Sequence, residues 1–329
     1  MCTLAWFGNQ RYHSALTKQG LSVVTRNYDG LRAFTWDQVT AEFGCEPDVL
    51  VLTDKSRPPM LLGLESYPCL TVLLAIDTHI HSWLPYYAQA FDMVTVSLKD
   101  HCERFLHKRL PEERVLWLPP HARDTDLPRD EAKVWDLLFV GTVDPVTTPV
   151  RNGFLKELGR RLPGLHVTSG DYRELFPKAR LVLNFAERGD LNYRVFEALG
   201  CGACLITPRV AHGQDDLFMD KQDLFLYDPE DMDSLVALVN ELLGQEERCK
   251  AVAASGLAKV NASHRLAHRA RDLAAWVRSV DRKALIADRL AEAAAIHDQY
   301  LRLLYLHWAE TLSHAPLGRQ YLRAATFQA

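Results

Sequence analysis

Asn192, Arg194 and Glu197 lie close together in the run Leu191-Asn-Tyr-Arg-Val-Phe-Glu-Ala-Leu-Gly-Cys-Gly-Ala203, and together they suit an anionic sugar ligand. The run follows a short apolar strand, Leu181–Phe185, and precedes another, Ala203–Ile206. Strand, loop, short helix and strand make the βαβ unit of an open parallel sheet, whose ligands lie at the carboxyl ends of the strands. Asn192 and Arg194 then fall in the first helical turn, where an anion meets both a helix N-terminus and a guanidinium. Glu197, three residues on, shares the face of Arg194 and can accept hydrogen bonds from vicinal hydroxyls. The same spacing also suits a plain Arg194–Glu197 pair on a surface helix capped by Gly200 and Gly202.

A second constellation, Asp77-Thr-His79-Ile-His81, follows the apolar strand Val72–Ile76. A carboxylate or imidazole at the carboxyl end of a strand is well placed to take a proton from a hydroxyl. The plainer reading makes Asp77 a helix cap and leaves the histidines bonded to backbone carbonyls. Metal binding is not expected at this triplet, which has no fourth ligand. Cys201-Gly-Ala-Cys204 has no second ligand pair nearby and reads as small residues where a helix end meets a buried strand. Asp124-Thr-Asp126 and Asp231-Met-Asp233 read as parts of a solvated linker and a helix cap, since neither ends a strand.

The elements around these residues alternate. Strand-like runs occur at Leu4–Phe7, Leu21–Thr25, Val49–Leu52, Val72–Ile76, Met93–Val96 and Val115–Leu118, with helical stretches at Ser82–Phe91 and Lys99–Arg109. A second series follows at Leu137–Val140, Leu165–Thr168, Leu181–Phe185, Ala203–Ile206 and Leu224–Leu226, with helices over Gly153–Arg161 and Met232–Leu243. Such alternation predicts α/β architecture with parallel sheets covered on both faces. His121–Lys133, polar and rich in charge, is the expected linker. From Leu266 onward the chain reads as helical, and its apolar residues Leu301, Leu303, Leu304, Tyr305, Leu306 and Trp308 need cover, from the same chain or from a homodimer contact.

Composition narrows the function. A chain of 329 residues, 48% apolar and 24% charged, is long enough for two cores. Its net charge of −4 argues against broad nucleic-acid binding but leaves room for a local anion pocket. Neither a signal peptide nor a membrane span of about 18 apolar residues is evident. Seven cysteines without paired spacing read as reduced thiols of a cytoplasmic protein. Gly8 alone after Phe7 lacks the G-x-G-x-x-G pattern of dinucleotide dehydrogenases.

Asn192-Tyr-Arg-Val-Phe-Glu-Ala-Leu-Gly-Cys-Gly-Ala-Cys-Leu-Ile-Thr-Pro208 resembles the donor-binding motif of GT-B glycosyltransferases, in particular the group related to the spore-maturation protein CgeB. Phe139-Val-Gly-Thr142 with Arg151 resembles that group's first strand and glycine loop. Gly213–Phe218, Leu226-Tyr-Asp228, Ser263-His-Arg265 and His268–Arg271 also fit, with Arg265-Leu266 standing where the group has Thr-Tyr. In the first half Ile76–His79, Phe91-Asp92 and Leu116–Pro120 add weaker matches, so that residues 45–279 are covered.

The resemblance implies a GT-B protein: two doubly wound Rossmann-like domains facing a cleft, with C-terminal helices partly crossing back to the first domain. The expected bounds are residues 1–125 for the acceptor side, 126–263 for the donor side and 264–329 for the helices. It implies a cytoplasmic, metal-independent transferase that moves a sugar from a nucleotide-diphosphate donor, a co-substrate and not a cofactor. A protein or bacterial surface glycan would accept it on a hydroxyl. By resemblance Glu197 holds the ribose, while Gly141, Thr142, Arg151, Asn184, Asn192 and Arg194 serve the diphosphate and sugar. Tyr172 and Tyr193 stack on the base, line the sugar pocket or simply pack in the core. Asp77 or His79 is the candidate base. The rivals are a nucleotide-sugar epimerase on the same fold and a non-catalytic nucleotide-sugar binder.

Overall fold

A computed structural model describes residues 3–8, 11–28 and 30–326 of the chain. The chain divides into two compact units, one running to Pro119 and resuming at Ala270, the other spanning Pro120–Arg269.

The first unit is built on six parallel strands: β1 Thr3–Phe7, β2 Ser22–Arg26, β3 Val49–Thr53, β4 Leu70–Ala75, β5 Met93–Val96 and β6 Val115–Trp117. Their order is β2-β1-β3-β4-β5-β6, so the winding reverses between β1 and β3. β3 and β4 are apolar and buried along their whole length, as strands covered on both faces must be. Leu301, Leu304, Tyr305 and Tyr321 of the C-terminal helices join the core of this unit, while Leu303 stays 72% exposed. The apolar C-terminal cluster is thus covered mainly by its own chain.

One buried ion pair ties those helices to the sheet. Arg289, on the helix Arg282–Ala291, is fully buried and bonds Asp92, Thr71 Oγ1 at 2.9 Å and the carbonyls of Tyr67 and Cys69. Asp92 also accepts the Thr71 amide at 2.8 Å, so the pair closes around the start of β4.

The second unit has five parallel strands: β7 Trp135–Val140, β8 Leu165–Thr168, β9 Ala179–Leu183, β10 Leu205–Pro208 and β11 Phe225–Tyr227. Their order is β11-β10-β9-β7-β8, the doubly wound order that reverses between β7 and β9. The helix Met232–Leu243 is capped by Asp231, whose carboxylate accepts the Ser234 amide at 2.9 Å.

Three expectations need correction. Lys99–Arg109 is a shorter 3₁₀ run, Lys99–Phe105, and Ser82–Phe91 holds only the helix Leu84–Ala88. The stretch from His121 is not a solvated linker at its start. Ala122 pairs with Arg265, and the Arg265 guanidinium donates to the carbonyls of Arg123 at 2.7 Å and Asp126 at 2.6 Å. Asp126 is fully buried, taking the Arg123 amide and the Tyr172 hydroxyl, because those bonds replace water. The division between the units therefore falls at Pro119–Pro120, ahead of residue 125.

Removing one partner of a buried ion pair strands the other charge. Arg289→Met should lower the unfolding free energy by about 3–5 kcal/mol, read from urea denaturation. A loss within the range of a surface substitution would show that the pair does not hold the C-terminal helices to the sheet.

Candidate functional site

The helix Tyr193–Gly200 follows the carboxyl end of β9 in the second sheet. Val195, Phe196, Ala198 and Leu199 are buried against the unit, and Asn192 takes the extended N-cap conformation. Arg194, in the first turn, is thereby aimed at the point where the winding reverses. Its Nε donates to Val140 O at 2.8 Å, its Nη1 to Asn184 Oδ1 at 2.9 Å, and its guanidinium lies 4.8 Å over the Phe139 ring. Asn184, one residue past β9, is itself held by Thr207 Oγ1 at 2.9 Å. The Asn184 amide therefore serves to position Arg194, and a direct reach to phosphate or sugar is not what the geometry gives it.

Gly141 explains itself here. A Cβ at this position would sit 2.5 Å from Arg194 Nη2, so only glycine lets the guanidinium lie against the loop. Burial, reinforced by the like charge of Arg151, lowers the Arg194 pKa to about 10, with Glu197 and Asp190 pulling the other way. Arg194 remains a cation at neutral pH, in surroundings that favour an added negative charge.

Arg151 stands at the start of the helix Pro149–Arg161 and lies 5.9 Å from the Phe139 ring. Its guanidinium donates to Thr142 O at 2.9 Å. The N-terminus of this helix carries a residue that sequence reasoning missed, Glu187. Its carboxylate accepts the amides of Val150 at 3.1 Å and Arg151 at 2.9 Å. A carboxylate on a helix N-terminus shows that the position accepts negative charge. No motif signalled it, since Glu187 is one acid in the loop after β9.

The remaining residues of this group divide. Asn192 Oδ1 is buried and has no hydrogen-bond partner in the protein. Glu197, on the same helix, is partly exposed. The Tyr193 ring packs edge-on against His121, with centroids 5.4 Å apart. Tyr172 donates its hydroxyl to Asp126 at 2.9 Å and lies under Arg123, so its polar end is already used within the unit.

The first unit has its own cluster at the carboxyl ends of β3 and β4. Asp77 is partly exposed and accepts the Ser56 hydroxyl. Ser56 also donates its amide to Asp54 Oδ1 at 2.9 Å. Ser56 takes a left-handed φ of 53°, uncommon for a residue with a side chain, and so turns both donors toward the two carboxylates. Asp54 was not singled out from sequence. It follows β3 as Asp77 follows β4, a symmetry visible only once the strands are aligned. Burial pushes Asp54 up to about 6, against the Ser56 amide, with Asp77 adding like charge. Asp54 Oδ2 and His79 Nδ1 are buried without hydrogen-bond partners. The His81 ring lies tilted beside that of Trp83, with centroids 5.4 Å apart.

Residues 144–275 match the family model described as glycosyl transferase-like. Among solved structures, the chain is similar to HepE from Anabaena in complex with UDP-glucose, at 9% identity and a TM-score of 0.61 over 85% of this chain and 100% of that one. Sucrose-phosphate synthase from Thermosynechococcus elongatus matches at 11% identity and a TM-score of 0.58, over 85% and 99%. The lipopolysaccharide outer core galactosyltransferase WaaB matches at 11% and 0.54, over 84% and 99%. No curated protein matches the chain. Two parallel-sheet α/β units with C-terminal helices constitute the GT-B fold, and this chain has it. Among the described residues, no helix is long and apolar enough to cross a membrane.

The state of Asp54 carries a pH signature. A carboxyl raised from 3.8 to about 6 binds its proton more tightly folded than unfolded. Its contribution is complete below the unfolded value and lost as pH rises through the folded one. The wild type should lose about 3 kcal/mol between about pH 4 and pH 6 relative to Asp54→Asn, in urea titrations at each pH. Parallel curves would mean that Asp54 ionises normally.

Proposed function

We propose that this chain transfers a sugar from a nucleoside diphosphate donor to a hydroxyl acceptor, with the second unit holding the donor. The observation that carries the reading is Arg194, a half-buried cation whose hydrogen bonds go to neutral partners at the reversal point of a doubly wound sheet. Breaking the bond between an anomeric carbon and a phosphate oxygen leaves the electron pair on the diphosphate. Arg194, Arg151 and the amides at Val150 and Arg151 supply positive charge for it, once the donor displaces the Glu187 carboxylate. The buried Asn192 amide oxygen can accept from a hydroxyl of the donor's sugar, and Glu197 accepts from the ribose hydroxyls.

No divalent ion enters this account, because fixed cationic and N–H groups perform the neutralisation. The acceptor hydroxyl gives up its proton to Asp77, oriented by Ser56, or failing it to His79. The motif Asn192-x-Arg194-x-Phe196-Glu197-Ala198 supports placement near the CgeB-related group. A surface glycan or a protein is the acceptor class. The lipopolysaccharide enzyme among the similar structures favours the glycan, and HepE makes UDP-glucose the first donor to try.

Glu197→Ala should weaken donor binding by about 1–3 kcal/mol, the range for hydrogen bonds to a charged group. Asp77→Asn should bind donor as the wild type does and turn over about two to four orders of magnitude more slowly. Calorimetry and release of free nucleoside diphosphate read the two effects separately. Unchanged affinity in a folded Glu197→Ala would sink the donor assignment. Wild-type turnover in both Asp77→Asn and His79→Ala would remove the base from this cluster.

A further inference from the structure

Glu187 closes the start of the helix Pro149–Arg161 from the loop after β9, far along the chain. Its two carboxylate oxygens accept the amides of Val150 at 3.1 Å and Arg151 at 2.9 Å. The helix has no side-chain cap of its own, because Thr148, at its N-cap, bonds the Asp144 backbone through Oγ1 instead. Asp231, by contrast, caps the helix Met232–Leu243 from the adjoining residue. The loop that carries Glu187 is anchored at both ends by the buried Phe185 and Leu191, while Arg188 and Gly189 between them are exposed. A carboxylate borne on such a loop can leave the amides without unwinding the helix or moving either anchor.

The fit of the carboxylate is incomplete. Arg151 Nε is buried without a hydrogen-bond partner, and the nearest Glu187 oxygen is 3.8 Å away, beyond hydrogen-bond reach. The two oxygens of a carboxylate are both used on the amides. A terminal phosphate has three acceptor oxygens and more charge, so it can meet both amides and the Nε–H together.

We propose that Glu187 is an intramolecular competitor for the anion of the donor. It occupies the amides of Val150 and Arg151 while the site is empty, yields them to the diphosphate, and takes them back as the nucleoside diphosphate departs. This inference rests on the donor reading above and adds to it a device that limits how tightly the product is held. A competitor of this kind weakens apparent affinity by the fraction of molecules in which the amides are free. The bonds at stake are charge-assisted, which sets the factor at about tenfold. The factor applies to every ligand that places an anion on these amides and to no ligand that lacks one.

The test is calorimetric titration of inorganic pyrophosphate, UDP and uridine into the wild type, Glu187→Gln and Asp190→Asn. Glutamine keeps the length of the side chain and one acceptor oxygen but loses the charge. Asp190, an acid of the same loop that acts on Arg194 through its charge, is the control for a general change of field. In Glu187→Gln, pyrophosphate and UDP should bind about tenfold more tightly and uridine should not change. Unchanged or weaker pyrophosphate binding in the folded variant would make Glu187 a structural brace and overturn the proposal. An equal gain in Asp190→Asn, or an equal gain for uridine, would overturn it as well. UDP binding of equal strength in wild type and Glu187→Gln would sink the competitor and leave the donor reading standing. Tighter pyrophosphate with no UDP binding in either protein would sink the donor reading and keep the competitor. Should Glu187→Gln fail to fold, hydrogen exchange of the wild type decides: pyrophosphate should speed exchange in the loop 186–190, and unchanged or slower exchange there would overturn the proposal.

Discussion

A guanidinium taken out of water costs several kcal/mol unless its donors are met and its charge is answered. Arg194 meets that demand only in part: Val140 O and Asn184 Oδ1 take two of its donors, and the Phe139 ring takes one face. The rest of the second unit is arranged around this cost. Gly141 gives up its side chain so that the guanidinium fits. Asn184 is fixed by Thr207 so that its oxygen, and not its amide nitrogen, faces Arg194. The helix carrying Arg194 buries Val195, Phe196 and Leu199, which sets its rotation. Such a cation is stabilised further by an anion, and the proposed role toward a departing diphosphate rests on that asymmetry.

The first unit solves the opposite problem with the same topology. Of the carboxylates that follow β3 and β4, Asp54 is raised by burial with Asp77 adding like charge, and Ser56 shares its two donors between them. Asp92, another buried acid, is answered by Arg289 and becomes structural. Asp92 and Glu65 are met by side chains of the C-terminal helices, Arg289 and His297, whereas Asp54 is met by the Ser56 amide.

Much of the architecture was legible in the chain. Strand alternation predicted both parallel sheets, because fully buried strands such as Val49–Thr53 are uninterrupted apolar runs. The sequence also puts Arg194 in a first helical turn, where the structure has it. What escaped were residues whose role comes from long-range pairing. Asp54 and Glu187 follow strands as many acids do, and only the aligned sheet brings Asp54 beside Asp77, or Glu187 onto the Val150 amide. The sequence reads Asn184 as a ligand contact and Tyr172 as either a ligand contact or a core residue, because their partners, Arg194 and Asp126, lie in other elements. Asp126 reads as solvated because nothing local announces that Arg265, far along the chain, bonds the carbonyls around it.

The central claim is that a diphosphate answers the charge of Arg194, and calorimetric titration of UDP into wild type and Gly141→Ala tests it most directly. The alanine Cβ pushes the guanidinium from its seat without removing any charge. The account predicts saturable binding to the wild type and a loss of about tenfold or more in the folded variant, corresponding to a displaced charge-assisted hydrogen bond. Equal affinity in both proteins would contradict it.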